Sequence, residues 1–152
     1  MRANPLTIVN SNFNMHSFEL KAAMGAAPHK IFAALTEPKL ITKWEHFRWA
    51  QHDMRAGGRV RKRDDDGQLF AGEIVIFEPP FRYGVLWPVP KDTDDLDEGT
   101  FLVRMEFEIE AHGDKSTLTL KAEGFPEQAL ADREKNSWGG FYLDKLRKVA
   151  ES

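Results

Sequence analysis

The spacing of apolar positions changes period twice along the chain. His16–Met24 alternates, with Phe18, Leu20, Ala22 and Met24 on one face, which predicts a strand. Gly25-Ala26-Ala27-Pro28 ends it, and Pro28 suits a first helical turn, where its missing N–H would lack a partner anyway. Ile31, Phe32 and Leu35 then fall at helical spacing. Pro38 opens a second short helix with Leu40, Ile41 and Trp44 on one side.

From Gly57-Gly58 onward the period is two. Arg59–Arg63 places Val60 and Lys62 on one face and three arginines on the other. Asp64-Asp65-Asp66-Gly67 reads as a hairpin turn, because Asp-Gly tolerates positive φ. Leu69–Glu78 is the returning strand, halted by Pro79-Pro80. Phe81–Trp87 follows, with Tyr83, Val85 and Trp87 sharing a face. In the cleanest alternation, Phe101, Val103, Met105, Phe107 and Ile109 oppose Arg104, Glu106, Glu108 and Glu110. Ser116–Glu123 repeats it, with Leu118, Leu120 and Ala122 inward. Beyond Gly124-Phe125-Pro126 the period lengthens into a long C-terminal helix carrying Trp138, Phe141, Tyr142, Lys145, Leu146 and Val149 at i, i+3, i+4 spacing. Gly139-Gly140 in its middle costs about 1 kcal/mol per glycine relative to alanine, a pattern that points to close backbone approach or space beside a cavity.

The order β-α-α-β-β-β-β-β-α is that of an α+β domain. Strands apolar on one face and wet on the other build an antiparallel sheet covered on a single side. The simplest assembly is one strongly curved sheet with the long helix on its concave face. Residues 1–15 read as a loosely held arm with a short strand around Leu6–Val9, and 16–152 as one domain. The solvated stretch Pro88–Gly99 reads as a loop, and it and Trp44–Arg55 are candidates for controlling access to any cavity. No apolar run approaches the ~20 residues of a membrane span, and residues 1–15 lack the apolar stretch of a secretory signal. A cytoplasmic protein with no integral membrane segment is expected.

Composition narrows the chemistry. The 152 residues include no cysteine, which removes disulfides, zinc–thiolate sites, iron–sulfur clusters and thiolate nucleophiles together. With 21 basic and 24 acidic residues the net charge is −3, which leaves no electrostatic footprint for nucleic acid. No His-x-x-x-His or His-Glu-x-x-His pattern occurs, and His46, His52 and Asp53 cluster only if a loop folds back; no metal is expected. Ser11, Ser17, Ser116, Ser137 and Ser152 lie in no G-x-S-x-G elbow, and nothing around Gly57-Gly58 is a phosphate-binding loop. No cofactor and no catalytic residue are expected. Aromatic residues reach 11% of the chain, and most of these rings fall on the inward faces just described.

Four blocks in register resemble the START-like, or SRPBCC, superfamily: AAPHKIFAALTEPKLITKWEHF, RAGGRVRKRDDDG, GEIVIFEPPFRYGVLW and SWGGFYLDKLRKV. More narrowly they resemble the branch of activators of the ninety-kilodalton heat-shock protein ATPase, over about residues 16–150. The resemblance implies a helix-grip fold, a curved antiparallel sheet wrapped around the C-terminal helix and enclosing an apolar cavity. Within it Ser137 stands where relatives often have glycine, and Lys62 takes a sheet position that is commonly aromatic or apolar.

Under that reading Trp44, Lys62, Tyr83, Trp87, Met105, Phe107, Trp138, Phe141 and Tyr142 are the candidate ligand-cavity residues. Lys62 is the polar one to watch, with Asp64 on the same face as its expected partner, since a buried ammonium needs a counter-charge or loses its proton. The expected function is non-catalytic binding of a small apolar or amphipathic molecule. One alternative is a protein-interaction module, a co-chaperone-like ATPase activator acting on a chaperone or regulatory protein through Arg59, Arg61 and Arg63 or through Asp92, Asp94, Asp95, Asp97 and Glu98. Another is a cavity enzyme of polyketide cyclase or dehydratase type, using Tyr83, Tyr142, Lys62 or Glu78.

Overall fold

A computed structural model describes residues 15–89 and 101–152. Its strands are β1 (His16–Met24), β2 (Phe47–His52), β3 (Arg59–Asp64), β4 (Leu69–Glu78), β5 (Arg82–Val89), β6 (Phe101–His112) and β7 (Lys115–Phe125). Helices α1 (Pro28–Thr36) and α2 (Pro38–Trp44) follow β1. The chain closes with α3 (Gln128–Ser137), a π-helical turn over Trp138–Tyr142, and α4 (Leu143–Glu151). The seven strands form one antiparallel sheet in the order β1-β7-β6-β5-β4-β3-β2. Its curved inner face carries the helices, and the C-terminal helical segment runs from Gln128 to Glu151. The expected α+β helix-grip architecture is the observed one.

Strand β2 is the element that the pattern did not predict. Arg48 and Trp49 are consecutive exposed residues, and the β2–β3 register slips between Phe47 and Trp49. That irregularity destroys the period-two signal at an edge of the sheet, where only one neighbour holds the strand. The expected Leu6–Val9 strand lies outside the described residues. So does most of the expected Pro88–Gly99 loop, although Pro88 and Val89 extend β5 instead.

Local chemistry accounts for the corners. The Asp64 carboxylate accepts the Asp66 N–H at 3.0 Å and the Gln68 N–H at 2.9 Å, and Gly67 sits at φ 84°, so the acidic turn closes as its sequence predicts. At the end of β7 the strand does not stop at Gly124 but passes through it to Phe125. Gly124 holds φ 112°, and a Cβ there would lie 2.2 Å from the Leu102 carbonyl oxygen, so only glycine brings the two backbones this close. The Trp44 indole N–H donates to the Ala34 carbonyl at 2.8 Å, which fixes α2 against α1. The far end of α4 is tied back to the start of α1, where the Gly25 N–H donates to Glu151 Oε2 at 2.7 Å.

Coverage of the inner face is uneven along the closing helix. In α4, Leu143, Leu146 and Ala150 are buried, whereas α3 buries Ala131 alone. The Gly139-Gly140 pair lies inside the π turn between them and allows no unusually close approach. A Cβ on Gly140 would meet nothing within 4 Å, and one on Gly139 would make ordinary contact with Leu20 at 3.7 Å. Neither glycine is forced by crowding, so each carries its helical cost without compensation from packing. Gly140→Ala is therefore expected to stabilise the domain by about 0.5–1 kcal/mol, a Tm rise of roughly 1–4 °C, measured by thermal unfolding. A lower Tm would show that the π turn itself needs glycine.

Candidate functional site

Where the sheet face is covered least, a cavity of about 280 Å³ opens between the strands, α2 and the α3–π junction. Inward residues of β5 and β6 supply Tyr83, Trp87, Met105 and Phe107, while Trp44, Trp138 and Tyr142 come from the helices. Their rings form a connected wall. Trp138 stands 5.9 Å from Trp44, 5.8 Å from Phe107 and 5.3 Å from Tyr142, centroid to centroid. Tilted and edge-on contacts at these separations are the favourable arrangement for aromatic pairs.

Lys62 completes the set. It is 7% exposed and turned inward from β3, as its alternation with the arginines predicts, while Arg59, Arg61 and Arg63 face water. Its partner is not Asp64, whose carboxylate is occupied by the turn. Lys62 Nζ donates instead to Glu45 Oε1 at 2.5 Å. Glu45 caps the end of α2, so the pair joins a helix terminus to the middle of a strand. The ammonium also lies 5.2 Å from the Phe47 ring centre and 5.0 Å from that of Trp87. A cation withdrawn from water is held here by a carboxylate and two aromatic faces.

Eight of the nine residues singled out in the sequence thus line one cavity. Phe141 does not. It is 51% exposed, because the π turn rotates it outward, and its ring lies 4.7 Å from Lys145 Nζ. Glu134, and Glu45, His46 and Phe47 from the Trp44–Arg55 segment expected to control access, were not among those nine but line the same space. Their signal was faint: Glu45-His46-Phe47 comes directly after the buried Trp44, where α2 ends and no periodic pattern shows which way the chain turns. The Tyr142 hydroxyl lies 2.7 Å from His46 Nδ1, and His46 stacks on Phe47.

Burial keeps both tyrosines of this wall protonated. Burial, with the Glu45 charge added, pushes the Tyr83 hydroxyl well above its usual range. Tyr142 is raised by burial, then by Glu45 and Glu134, and Glu134 is itself raised by burial against the opposing pull of Arg133. The tyrosines are hydrogen-bond donors at neutral pH, not bases. Next to Lys62, His52 has both ring nitrogens sealed from water without a hydrogen-bond partner among the described residues. Burial and then the Lys62 charge lower its pKa to about 4, with the Thr36 backbone opposing. No group of three histidines, cysteines or carboxylates suited to a metal ion occurs among the described residues, and none of their helices is long and apolar enough to cross a membrane.

Comparison with known proteins decides the family. Residues 25–151 match the model for Activator of Hsp90 ATPase homolog 1-like proteins. The chain belongs to that family. No curated protein matches it by sequence. Among solved structures, a Mesorhizobium loti protein is similar at TM-score 0.74 and 19% identity, covering 88% of this chain and 96% of its own. CalU16 from Micromonospora echinospora is similar at TM-score 0.71 and 21% identity, over 90% of this chain and 76% of that one. An HSP90 activator from Plasmodium falciparum is similar at TM-score 0.70 and 21% identity, over 88% and 94%. At these identities the likeness is one of fold, and the family's helix-grip architecture is shared throughout.

The buried charges have two measurable consequences. Removing only the ammonium, in Lys62→Met, strands Glu45 and is expected to cost about 3 kcal/mol, whereas Lys62→Met with Glu45→Gln recovers most of that loss in urea unfolding. His52 binds a proton more readily unfolded, near its ordinary 6.5, than folded, near 4. Stability is therefore unaffected by this group above pH 6.5 and falls as pH drops toward 4, by no more than about 3 kcal/mol. Relative to His52→Leu, the native chain should lose stability as pH falls through that window when unfolding is followed at several pH values.

Proposed function

We propose that this domain binds a small apolar or amphipathic molecule, without catalysis, in the cavity between the sheet and the C-terminal helix. The observation that carries this reading is an aromatic-walled space of about 280 Å³ left beneath α3. Apolar ligand surface leaving water there contributes about 25 cal/mol per Å², and a few polar groups on an apolar wall fix orientation, as small-molecule sites require. The chemistry on that wall favours holding over reacting. Lys62 is paired with Glu45, and both tyrosines retain their protons.

A second reading is an interaction module acting on a chaperone. It is favoured by the family match and by the similarity to a protein described as an HSP90 activator. Arg59, Arg61 and Arg63 form an exposed row on the outer face, with Arg63 lying over the Trp49 ring at 6.0 Å.

Ligand-induced thermal shift separates the two. A hit from a library of hydrophobic molecules, at about 100 times its Kd, adds roughly 3 kcal/mol and raises Tm by about 5–10 °C. Met105→Trp, which fills the cavity, should abolish that shift, while Arg61→Glu leaves it intact. If Arg61→Glu instead abolishes capture of a purified chaperone and Met105→Trp changes nothing in either assay, the interaction module is the better description.

A further inference from the structure

Resting on the second reading above, we infer that β2 and β3 take up an extended, acidic segment of a partner protein, which adds to the free edge of β2 as a further strand. The two halves of the sheet's outer face treat charge differently. Across β4–β7, Arg82 meets Glu78, Glu106 and Glu108 within 3.8 Å, Arg104 meets Glu106 at 3.7 Å, and Lys121 meets Glu108 at 3.3 Å. On β2 and β3, Arg48, Arg59, Arg61 and Arg63 are exposed and make no ion pair with any described residue. Glu73 of β4 stands opposite Arg59 in register without closing one. Two large apolar side chains flank Arg63 in the same row: Trp49, 41% exposed, pairs with it from β2, and Leu69, 46% exposed, from β4.

The backbone of β2 has groups that no strand of the sheet takes up. The sheet ends at β2, so only β3 holds it. Just past the end of β2 the Asp53 N–H donates to the Arg59 carbonyl at 2.9 Å. In antiparallel pairing every second residue bonds to its partner strand, so Gln51 and Trp49 direct their backbone groups to Arg61 and Arg63. The N–H and C=O groups of Ala50 and His52 then point the other way, to the open edge. Edge groups of this kind are a template for another chain, and adding a strand to an edge is one of the general modes of peptide recognition.

Charge chooses the occupant. A second copy adding through the same edge would set arginine against arginine, because a two-fold interface brings each patch onto itself. A nucleic acid carries a charge on every phosphate and would lay some of them against Asp53, Asp65, Asp66 and Glu73, which are exposed around the patch. A short peptide confines its carboxylates to the arginines. In a strand with an acid at every second residue these repeat at about 7 Å, the same repeat as Arg59, Arg61 and Arg63 along β3. Its outward side chains lie beside Trp49 and Gln51 and about 10 Å from the β3 row, within the combined reach of a glutamate and an arginine. The inward residues between them are the ones whose N–H groups meet the edge carbonyls.

A fluorescein-labelled octapeptide of alternating Glu and Val, titrated at low ionic strength by fluorescence anisotropy, tests this. The controls are a Lys-Val octapeptide, a Glu-Pro octapeptide and a single-stranded dT octanucleotide. Glu-Val is expected to bind, and Lys-Val at least about tenfold more weakly. Glu-Pro keeps the charge but lacks the edge-directed N–H groups, and a loss of at least about tenfold is expected there too. Arg61→Glu with Arg63→Glu should weaken Glu-Val at least about tenfold while Tm holds, since both side chains face water. Ala50→Pro, which removes an edge N–H and no charge, should weaken it severalfold. If that variant does not fold, the Glu-Pro control carries the edge test. Equal binding of Glu-Pro, tighter binding of the dT octanucleotide, or self-association that Ala50→Pro abolishes overturns the inference. So does failure of Glu-Val to bind. If Glu-Val fails while Arg61→Glu still abolishes capture of the purified chaperone, the inference falls and the second reading stands; if neither depends on the arginine row, both fall.

Discussion

A broad sheet with one apolar face must have that face withdrawn from water, and in this chain three stretches of helix do the covering. Seven strands present more apolar surface than a single helix can cover. The sheet meets this by curving around the helices, and α1 and α2 close the side that the C-terminal helix leaves open. The pieces are locked where they meet: Trp44 to the Ala34 carbonyl, Gly25 to Glu151, Lys62 to Glu45. Under α4, Leu143, Leu146 and Ala150 are buried against the sheet and α1. Beneath α3, which commits only Ala131 to the core, the covering is partial and the cavity opens. The space thus arises from how the covering helix is distributed along the sheet.

The same constraint explains why the cavity has a polar corner at all. Lys62 occupies an inward position that Val60 and the outward arginines fix by alternation, so its side chain has no route to water along β3. Tolerating it there requires a carboxylate from outside the strand, and Glu45 arrives because α2 ends just over that spot. The cost of burying the pair is offset in part by contact with the Phe47 and Trp87 rings.

Much of this was legible in the sequence, and the reasons for the remainder are specific. Strands β1, β3, β4, β6 and β7 announce themselves because one face is dry and the other wet, so burial writes a period of two directly into residue type. Helix starts at Pro28 and Pro38 were equally plain, since proline is tolerated at a first helical turn. Strand β2 escaped because its register slips and two adjacent residues face water, so no period survives. Missing β2 also hid Phe47 at its start, while Glu45 and His46 lie at the end of α2, where the helical pattern had already stopped. The Lys62 partner was misassigned for a related reason: Asp64 shares its face, but two backbone N–H groups of the turn claim its carboxylate first. Phe141 was misplaced because helical spacing was extended through a stretch that is not α-helical.

That last stretch has a wider bearing. The π turn over Trp138–Tyr142 takes more residues per revolution than the α-helix on either side of it. It therefore absorbs surplus length without disturbing the phase of α4. Leu143, Leu146 and Ala150 still meet the core. Removing one residue within the turn would convert it to ordinary α-helix and leave the phase of α4 unchanged, whereas a deletion inside α4 would rotate Leu146 and Ala150 off the core. Length variation within this fold should accordingly collect at the glycine pair, with the aromatic residues on either side staying in step with the sheet.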